Sequence, residues 1–315
     1  MKPLVVVCDG LDEDLFKNLS RHPSVNVHPS SKVKPAELQK LLPTAEALII
    51  RSSTNPNREM IDQAPNLKLI IRAGEGTDNI DKIYCQKKGI KVANTPGANN
   101  NSAAEHAIAL MMTVLRKTAQ ANLSMQKGEW EKNLFTGSEL TGKTVGIVGF
   151  GRIGQLVAKR LSGFEPNILF YDPFISQTEI PNCRLEKDLN KLFIAADIIT
   201  IHTPLMDSTK NLVNASLLKQ MKKTAILINA ARGGIVNEDD LLSVLKNKLI
   251  RGAALDVFSK EPLIDNSPLR QLDNLVLTPH LGASTEEAQK RVGEMAVHQV
   301  IQFFDHNNLL NEVKV

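Results

Sequence analysis

Lys143-Thr144-Val145-Gly146-Ile147-Val148-Gly149-Phe150-Gly151-Arg152-Ile153-Gly154 is the stretch on which the fold turns. A short apolar run enters a Gly-x-Gly-x-x-Gly turn, and residues 153–164 then read as a helix. Strand, turn and helix in that order are the setting in which the glycine spacing has a mechanical meaning. Gly149 permits a tight turn, Gly151 lets the backbone approach a pyrophosphate, and Gly154 lets the helix pack close to the sheet. The open N–H groups at the start of the helix, around Arg152 and Ile153, then face the phosphates. About twenty residues on, Phe170-Tyr171-Asp172 ends the next strand with an acid suited to the hydroxyls of an adenosine ribose. A carboxylate there repels the additional phosphate of NADP, so the predicted cofactor is NAD.

Working outward, short β-like runs alternate with amphipathic helical stretches, the pattern of α/β layers around parallel sheets. Before the glycine turn, strands are predicted at 4–8, 25–28, 47–50, 67–72 and 91–94, with helices including 12–20 and 79–88. A long helix is expected over 102–130, rich in Ala, Leu and Met and free of Gly and Pro until Gly128. After the turn come strands at 168–171, 198–202, 225–229, 252–256 and 275–278. In the last helical stretch, 285–305, Ala288, Val292, Met295, Ala296 and Val300 fall at helical spacing. This helix lies beyond the second sheet, so it is expected to return to the first domain. The predicted fold class is α/β, with two doubly wound parallel-sheet domains.

The chain has 315 residues, enough for two domains with their own cores. It is 42% hydrophobic and 23% charged, with a net charge of +4. No apolar run reaches the ~20 residues of a membrane span. The N-terminus reads as a first strand rather than a signal peptide. No run of five Lys or Arg occurs, so no nucleic-acid partner is expected, while a small basic excess suits an anionic substrate. Cys8, Cys85 and Cys183 are too few and too scattered for a disulfide framework or a zinc knot, and a reducing cytoplasm is the natural reading. No metal is expected, and no nucleophile elbow is present.

Oxidising an alcohol with a nicotinamide needs a base for the hydroxyl proton, a cation for the substrate, and a group that holds the base at a useful pKa. Free imidazole titrates near ~6.5, and an adjacent carboxylate raises it. Candidate groups stand on loops after successive strands, where open α/β sheets bind ligands. Arg232 precedes Gly233-Gly234, Glu261 follows Phe258, and His280 precedes Leu281-Gly282-Ala283-Ser284. His202, in Ile201-His202-Thr203-Pro204-Leu205, also stands at a strand end, and position alone does not separate it from His280. His106 and His298 fall inside helices and read as structural.

The blocks Asn229-Ala230-Ala231-Arg232-Gly233-Gly234-Ile235-Val236, Ala254-Leu255-Asp256-Val257-Phe258 with Glu261-Pro262, and Thr278-Pro279-His280-Leu281-Gly282-Ala283-Ser284-Thr285 carry a resemblance to a known family. Over essentially its whole length the chain resembles the D-isomer-specific 2-hydroxyacid dehydrogenases. The resemblance implies a Rossmann cofactor domain over 99–285 and a flavodoxin-like substrate domain built from 1–98 and 286–315. It implies that Arg232 orients the substrate carboxylate, that His280 is the acid/base and that Glu261 polarises it, leaving His202 a structural or cofactor-wall role. It also implies that Asp256 contacts the nicotinamide end and that Arg152, Ile153, Thr203, Pro204, Ala230 and Gly282 line the cofactor. The helix near Ser102 would pack against a second subunit in a dimer.

Within the family, Arg72-Ala73-Gly74-Glu75-Gly76-Thr77-Asp78-Asn79-Ile80-Asp81, Asn94-Thr95-Pro96-Gly97-Ala98-Asn99, Ser102-Ala103-Ala104-Glu105-His106 and Gly128-Glu129-Trp130 are most similar to the branch that acts on 3-phosphoglycerate. A phosphorylated acid suits planar Arg forks. Arg51 and Arg72 at strand ends, with Ser52, Gly74, Asn99 and Arg232, are the expected substrate contacts, and Lys132 is expected to reach a neighbouring subunit. Glu75 puts a carboxylate where the resembled loop carries a small or apolar residue, where it would repel a phosphate or pair with Arg72. The sequence ends at Val315, short of the regulatory domains of longer members, so serine feedback through such a domain is not expected. The competing expectations are a glyoxylate/hydroxypyruvate or D-lactate-type enzyme on the same scaffold, and an NAD-sensing interaction protein like the C-terminal-binding corepressors.

Overall fold

The computed structural model describes residues 1–314. In chain order the elements are β1 (Leu4–Val7), α1 (Glu13–Ser20), β2 (Asn26–Val27), α2 (Pro35–Leu41), β3 (Ala47–Ile50), α3 (Arg58–Asp62), β4 (Leu69–Arg72), α4 (Lys82–Lys87) and β5 (Lys91–Asn94). There follow α5 (Asn100–Arg116), α6 (Thr118–Gln126), β6 (Thr144–Val148), α7 (Arg152–Leu161), β7 (Asn167–Tyr171), β8 (Cys183–Leu185), α8 (Leu189–Ala195) and β9 (Ile198–Ile201). The rest are α9 (Ala215–Leu218), β10 (Ile226–Asn229), α10 (Glu238–Lys246), β11 (Gly252–Leu255), β12 (Leu275–Leu277) and α11 (Glu286–His306). The chain divides into two compact units, Met1–Asn99 with Ala283–Val315, and Asn100–Gly282.

The first unit holds a five-stranded sheet in the order β2-β1-β3-β4-β5, with every named pair parallel. That is the flavodoxin-like order. Its strands are apolar without alternation because helices cover both faces; all four residues of β3 are buried. Val6, Leu48, Ile50 and Ile70 belong to one core, and Val5, Val7, Ile49 and Ile71 to the other. Helix α11 contributes Val292, Ala296 and Val300 to the second of these cores. Its periodic apolar face is thereby matched to a sheet far away in sequence. Thr285 starts α11 by accepting the Ala288 N–H at 3.2 Å, as Ser and Thr do at helix N-caps.

The second unit holds a seven-stranded sheet in the order β12-β11-β10-β9-β6-β7-β8, again all parallel. The order reverses at β6, with β7 and β8 on one side and β9 to β12 on the other, which is the doubly wound Rossmann arrangement. Strands β9, β10 and β11 are buried throughout. Helix α5 packs Ala104, Ala107, Met111 and Leu115 against the same core as Val145, Ile147 and Phe150.

The helix expected over 102–130 is two helices. Lys117, at φ 53°, takes the left-handed conformation between α5 and α6. The cause is tertiary: the Leu115 carbonyl, near the end of α5, accepts the Ser138 N–H at 3.0 Å and the Arg251 guanidinium at 2.9 Å. Distant partners thus cap a carbonyl that helix propensity alone would have left to a continuing helix. Glu129 and Trp130 lie beyond α6 in a turn closed by Glu129 N–H to Ser124 O.

Candidate active site

The glycine turn lies between β6 and α7. Gly149 has φ +91°, and a side chain on Gly154 would collide with the Gly149 carbonyl. Gly151 is different: a Cβ there meets nothing within 4 Å. Its lack of a side chain keeps open space rather than relieving a protein contact. No side chain caps α7 at Gly151, and the N-terminus of a helix presents N–H groups that suit an anion. The Asp172 carboxylate accepts the Phe150 N–H at 2.7 Å and the Phe174 N–H at 2.8 Å, which places it against the same turn. On the neighbouring strand end, the Thr203 hydroxyl oxygen is buried and has no protein partner. A tight turn, an open patch beside it, an adjoining carboxylate and a buried hydroxyl awaiting a partner fit a dinucleotide.

The loops after β10, β11 and β12 carry the candidate chemistry. Asn229, 1% exposed at the end of β10, accepts the Ala231 N–H at 3.1 Å and donates to the Arg232 carbonyl at 3.0 Å. One amide side chain therefore shapes the turn that presents Arg232, whose Nη1 donates to the Ala231 carbonyl at 2.7 Å. A side chain on Gly233 would collide with the Phe258 carbonyl, so glycine is what lets this loop lie against the one after β11.

Glu261 and His280 meet directly. His280 Nδ1 is 2.7 Å from Glu261 Oε2, and Glu261 Oε1 accepts the Phe258 N–H at 3.1 Å. Burial works against charge on Glu261, but the hydrogen bonds from His280 and the Phe258 N–H outweigh it and hold its carboxyl below the usual range. An ionised Glu261 favours the tautomer with the proton on Nδ1, which leaves Nε2 as the acceptor of the ring. His280 itself has φ +58°, a conformation costing a non-glycine residue about 1 kcal/mol or more.

Asp256 supplies the compensation. It is fully buried; its carbonyl accepts the His280 N–H at 2.8 Å, and its carboxylate accepts the N–H groups of Leu281 at 2.7 Å and Gly282 at 2.9 Å. Three consecutive N–H groups of the histidine loop thus end on one residue. Burial disfavours the Asp256 charge, yet hydrogen bonds from His106, Thr278 and Leu281 outweigh it and lower its pKa. Neither this anchoring nor the approach of His106 follows from spacing. The only trace of them in the sequence is that both partners fall inside the family-like blocks.

His202 is set apart by environment. Its Nε2 lies 2.9 Å from Thr200 Oγ1, and burial pushes its pKa down to about 4. A ring held neutral without a carboxylate partner is poorly suited to proton transfer near neutral pH. His298 is exposed on α11.

In the first unit, the Arg51 N–H donates to Asp9 Oδ2 at 2.6 Å, and Thr54 closes on the same carboxylate, so Asp9 shapes the loop carrying Arg51 and the exposed Ser52. The Arg72 guanidinium lies over Gly74, where any side chain would displace it. Glu75 Oε2 accepts the Gly97 N–H at 2.6 Å, joining the loop after β4 to the one after β5. Asn99 Oδ1 is buried without a protein partner. Lys132 begins a short 3₁₀ turn, Lys132–Phe135. Ala230 follows β10 directly, and Pro204 is the third residue after β9. Among the described residues no group of three or more His, Cys, Asp or Glu is placed to hold a metal ion, and no helix is long and apolar enough to cross a membrane.

Residues 108–282 match the family described as D-isomer specific 2-hydroxyacid dehydrogenase, NAD binding domain. The chain is 44% identical over 298 residues to a D-3-phosphoglycerate dehydrogenase of Methanocaldococcus jannaschii, covering 94% of this chain and 56% of that protein. It thus spans about half the length of several curated relatives it matches. A hydroxypyruvate reductase of Thermotoga maritima is 42% identical over 300 residues, covering 95% of this chain and 97% of the other. Among solved structures, the NAD-dependent formate dehydrogenase of Staphylococcus aureus in complex with NAD superimposes with a TM-score of 0.87 at 31% identity, covering 100% of this chain and 99% of that one.

Proposed function

The chain belongs to the D-isomer-specific 2-hydroxyacid dehydrogenase family, and from that premise we propose that it is an NAD-dependent dehydrogenase that interconverts 3-phosphoglycerate and 3-phosphohydroxypyruvate, the first step of phosphorylated serine biosynthesis. The observation that carries the reading is the 2.7 Å contact between His280 Nδ1 and Glu261 Oε2, on loops that leave the same carboxyl-terminal end of the parallel strands as the glycine turn. When bound, NAD supplies the hydride acceptor, held by Gly149, Gly151, Arg152, Ile153, Gly154, Asp172, Thr203, Pro204, Ala230 and Gly282. Arg232 pins the substrate carboxylate with a planar fork. His280 Nε2 takes the hydroxyl proton in oxidation and returns one to the ketone oxygen in reduction. Glu261 keeps its charge throughout and stabilises the imidazolium that forms.

For the phosphorylated end of the substrate we assign Arg51 and Arg72, with Ser52, Gly74 and Asn99. The domain assignment is 1–98 with 286–315 for substrate and 99–285 for NAD. The partner is a second copy of this chain, docked through 102–130, where Leu123, Met125 and Trp130 expose large apolar surfaces. Three free thiols suit the cytoplasm.

Hydroxypyruvate reduction is the second reading, favoured by the similar identity to the Thermotoga maritima enzyme. The two readings separate on kcat/KM for phosphohydroxypyruvate against hydroxypyruvate with NADH. The first expects the phosphorylated ketone to win by well over about tenfold, and Arg51→Ala and Arg72→Ala each to lower that substrate selectively. Equal use of both ketones, unaltered in the variants, sinks the phosphate assignment.

A further inference from the structure

We propose that His106 is a positioning residue for His280, acting through Asp256; this rests on the acid/base reading of His280. His106 stands on α5, and the pair His106–Thr278 spans 172 residues of sequence. Its Nε2 lies 3.1 Å from Asp256 Oδ1 and 3.3 Å from Thr278 Oγ1, with the side chain 17% exposed. Thr278 donates to the same Oδ1 at 2.6 Å. That oxygen also accepts the Leu281 N–H, while Oδ2 accepts the Gly282 N–H. The carboxylate that arranges the histidine loop is therefore also held by one imidazole and one hydroxyl.

A fully buried carboxylate stays charged only when its oxygens are supplied with donors. His106 is the ionisable donor in this set; the others are a hydroxyl and two backbone amides. Without its N–H, Oδ1 loses one of its three donors, and the carboxylate is freer to turn about its Cβ–Cγ bond. The Leu281 and Gly282 contacts then loosen, and with them the left-handed backbone that aims the His280 ring. The strands and the two apolar cores of this unit do not depend on that contact. The expected consequence is misplaced proton transfer in a folded enzyme that still binds cofactor.

The test uses two replacements that divide shape from hydrogen bonding. His106→Gln keeps an N–H donor near Asp256, and His106→Phe keeps the bulk of a ring without one. Each variant and the wild-type protein are assayed for NADH oxidation with a panel of small 2-keto acids, and NADH binding is measured separately by fluorescence. The expected result is a roughly 10- to 100-fold lower kcat for the Phe variant, with KM and NADH affinity within about twofold of wild type and most of the rate restored in the Gln variant. The proposal is overturned by a Phe variant as active as wild type, by equal losses in both variants, by better rescue from Phe than from Gln, or by two variants that fail to fold. A wild-type protein that oxidises no NADH with any keto acid overturns the dehydrogenase reading itself, which keeps the two failures distinct.

Discussion

Replacing Glu261 by Gln removes the charge from the proposed acid/base pair while keeping its shape. Gln is nearly the same size, and with its single amide oxygen turned to His280 it still accepts the Nδ1–H and keeps the ring orientation, while its NH2 replaces the oxygen that accepted the Phe258 N–H. What disappears is a full negative charge beside an imidazolium, together with the weaker 3.1 Å contact from the Phe258 N–H. Opposite unit charges about 4 Å apart attract by about 1 kcal/mol in water and by about 4 kcal/mol at an effective dielectric near 20. The two side chains are 37% and 33% exposed, so solvent screens the pair in part, and about 1.5–3 kcal/mol is the reasonable range here. At about 1.4 kcal/mol per decade, kcat should fall roughly 10- to 150-fold. NADH affinity should stay put, because the glycine turn and Asp172 are untouched. Steady-state NADH oxidation with the best keto acid, alongside NADH fluorescence titration, measures both quantities. An E261Q enzyme whose kcat stays within about twofold of wild type refutes the argument that Glu261 acts through its charge.

Gly151→Ala and Gly154→Ala should fail in different ways. The first adds a methyl to open space and should weaken NADH binding with urea stability unchanged; the second drives a methyl into the Gly149 carbonyl and should also cost about 1–3 kcal/mol of stability. Identical behaviour of the two would contradict the cradle assigned to Gly151. Asp172→Ser should narrow the preference for NADH over NADPH, seen as a changed ratio of kcat/KM values, and an unmoved ratio removes Asp172 from cofactor selection. Acid should destabilise the second unit. Asp256 and Glu261 have lowered pKa values in the folded state, so the stability they add is present above the ordinary carboxylate range near ~4 and is lost as pH falls through the folded values. Urea midpoints measured from neutral pH downward should hold and then drop, and a midpoint that rises on acidification contradicts the sign.

Much of this arrangement is legible in the sequence because its causes are local. The turn at 149–154 announces itself by glycine spacing between a strand and a helix, and the doubly wound class follows from apolar runs alternating with amphipathic ones. Arg232, Glu261 and His280 each stand on a loop following a strand end, where such sheets bind ligands. Element boundaries are also set nearby where a cap residue is present, as Thr285 does for α11.

Other features depend on partners far apart in the chain. His202 and His280 are equivalent as strand-end histidines; only burial around one ring and a carboxylate 2.7 Å from the other separate them. Helix α5 stops at Arg116 because Ser138 and Arg251 take the Leu115 carbonyl, which composition over 102–130 does not reveal. The gathering of His106, Thr278, Leu281 and Gly282 on Asp256 has no periodicity to betray it. Periodicity and turn chemistry report what a residue does to its own segment. Desolvation and hydrogen bonding across more than a hundred residues exist only once the sheet has brought those segments together.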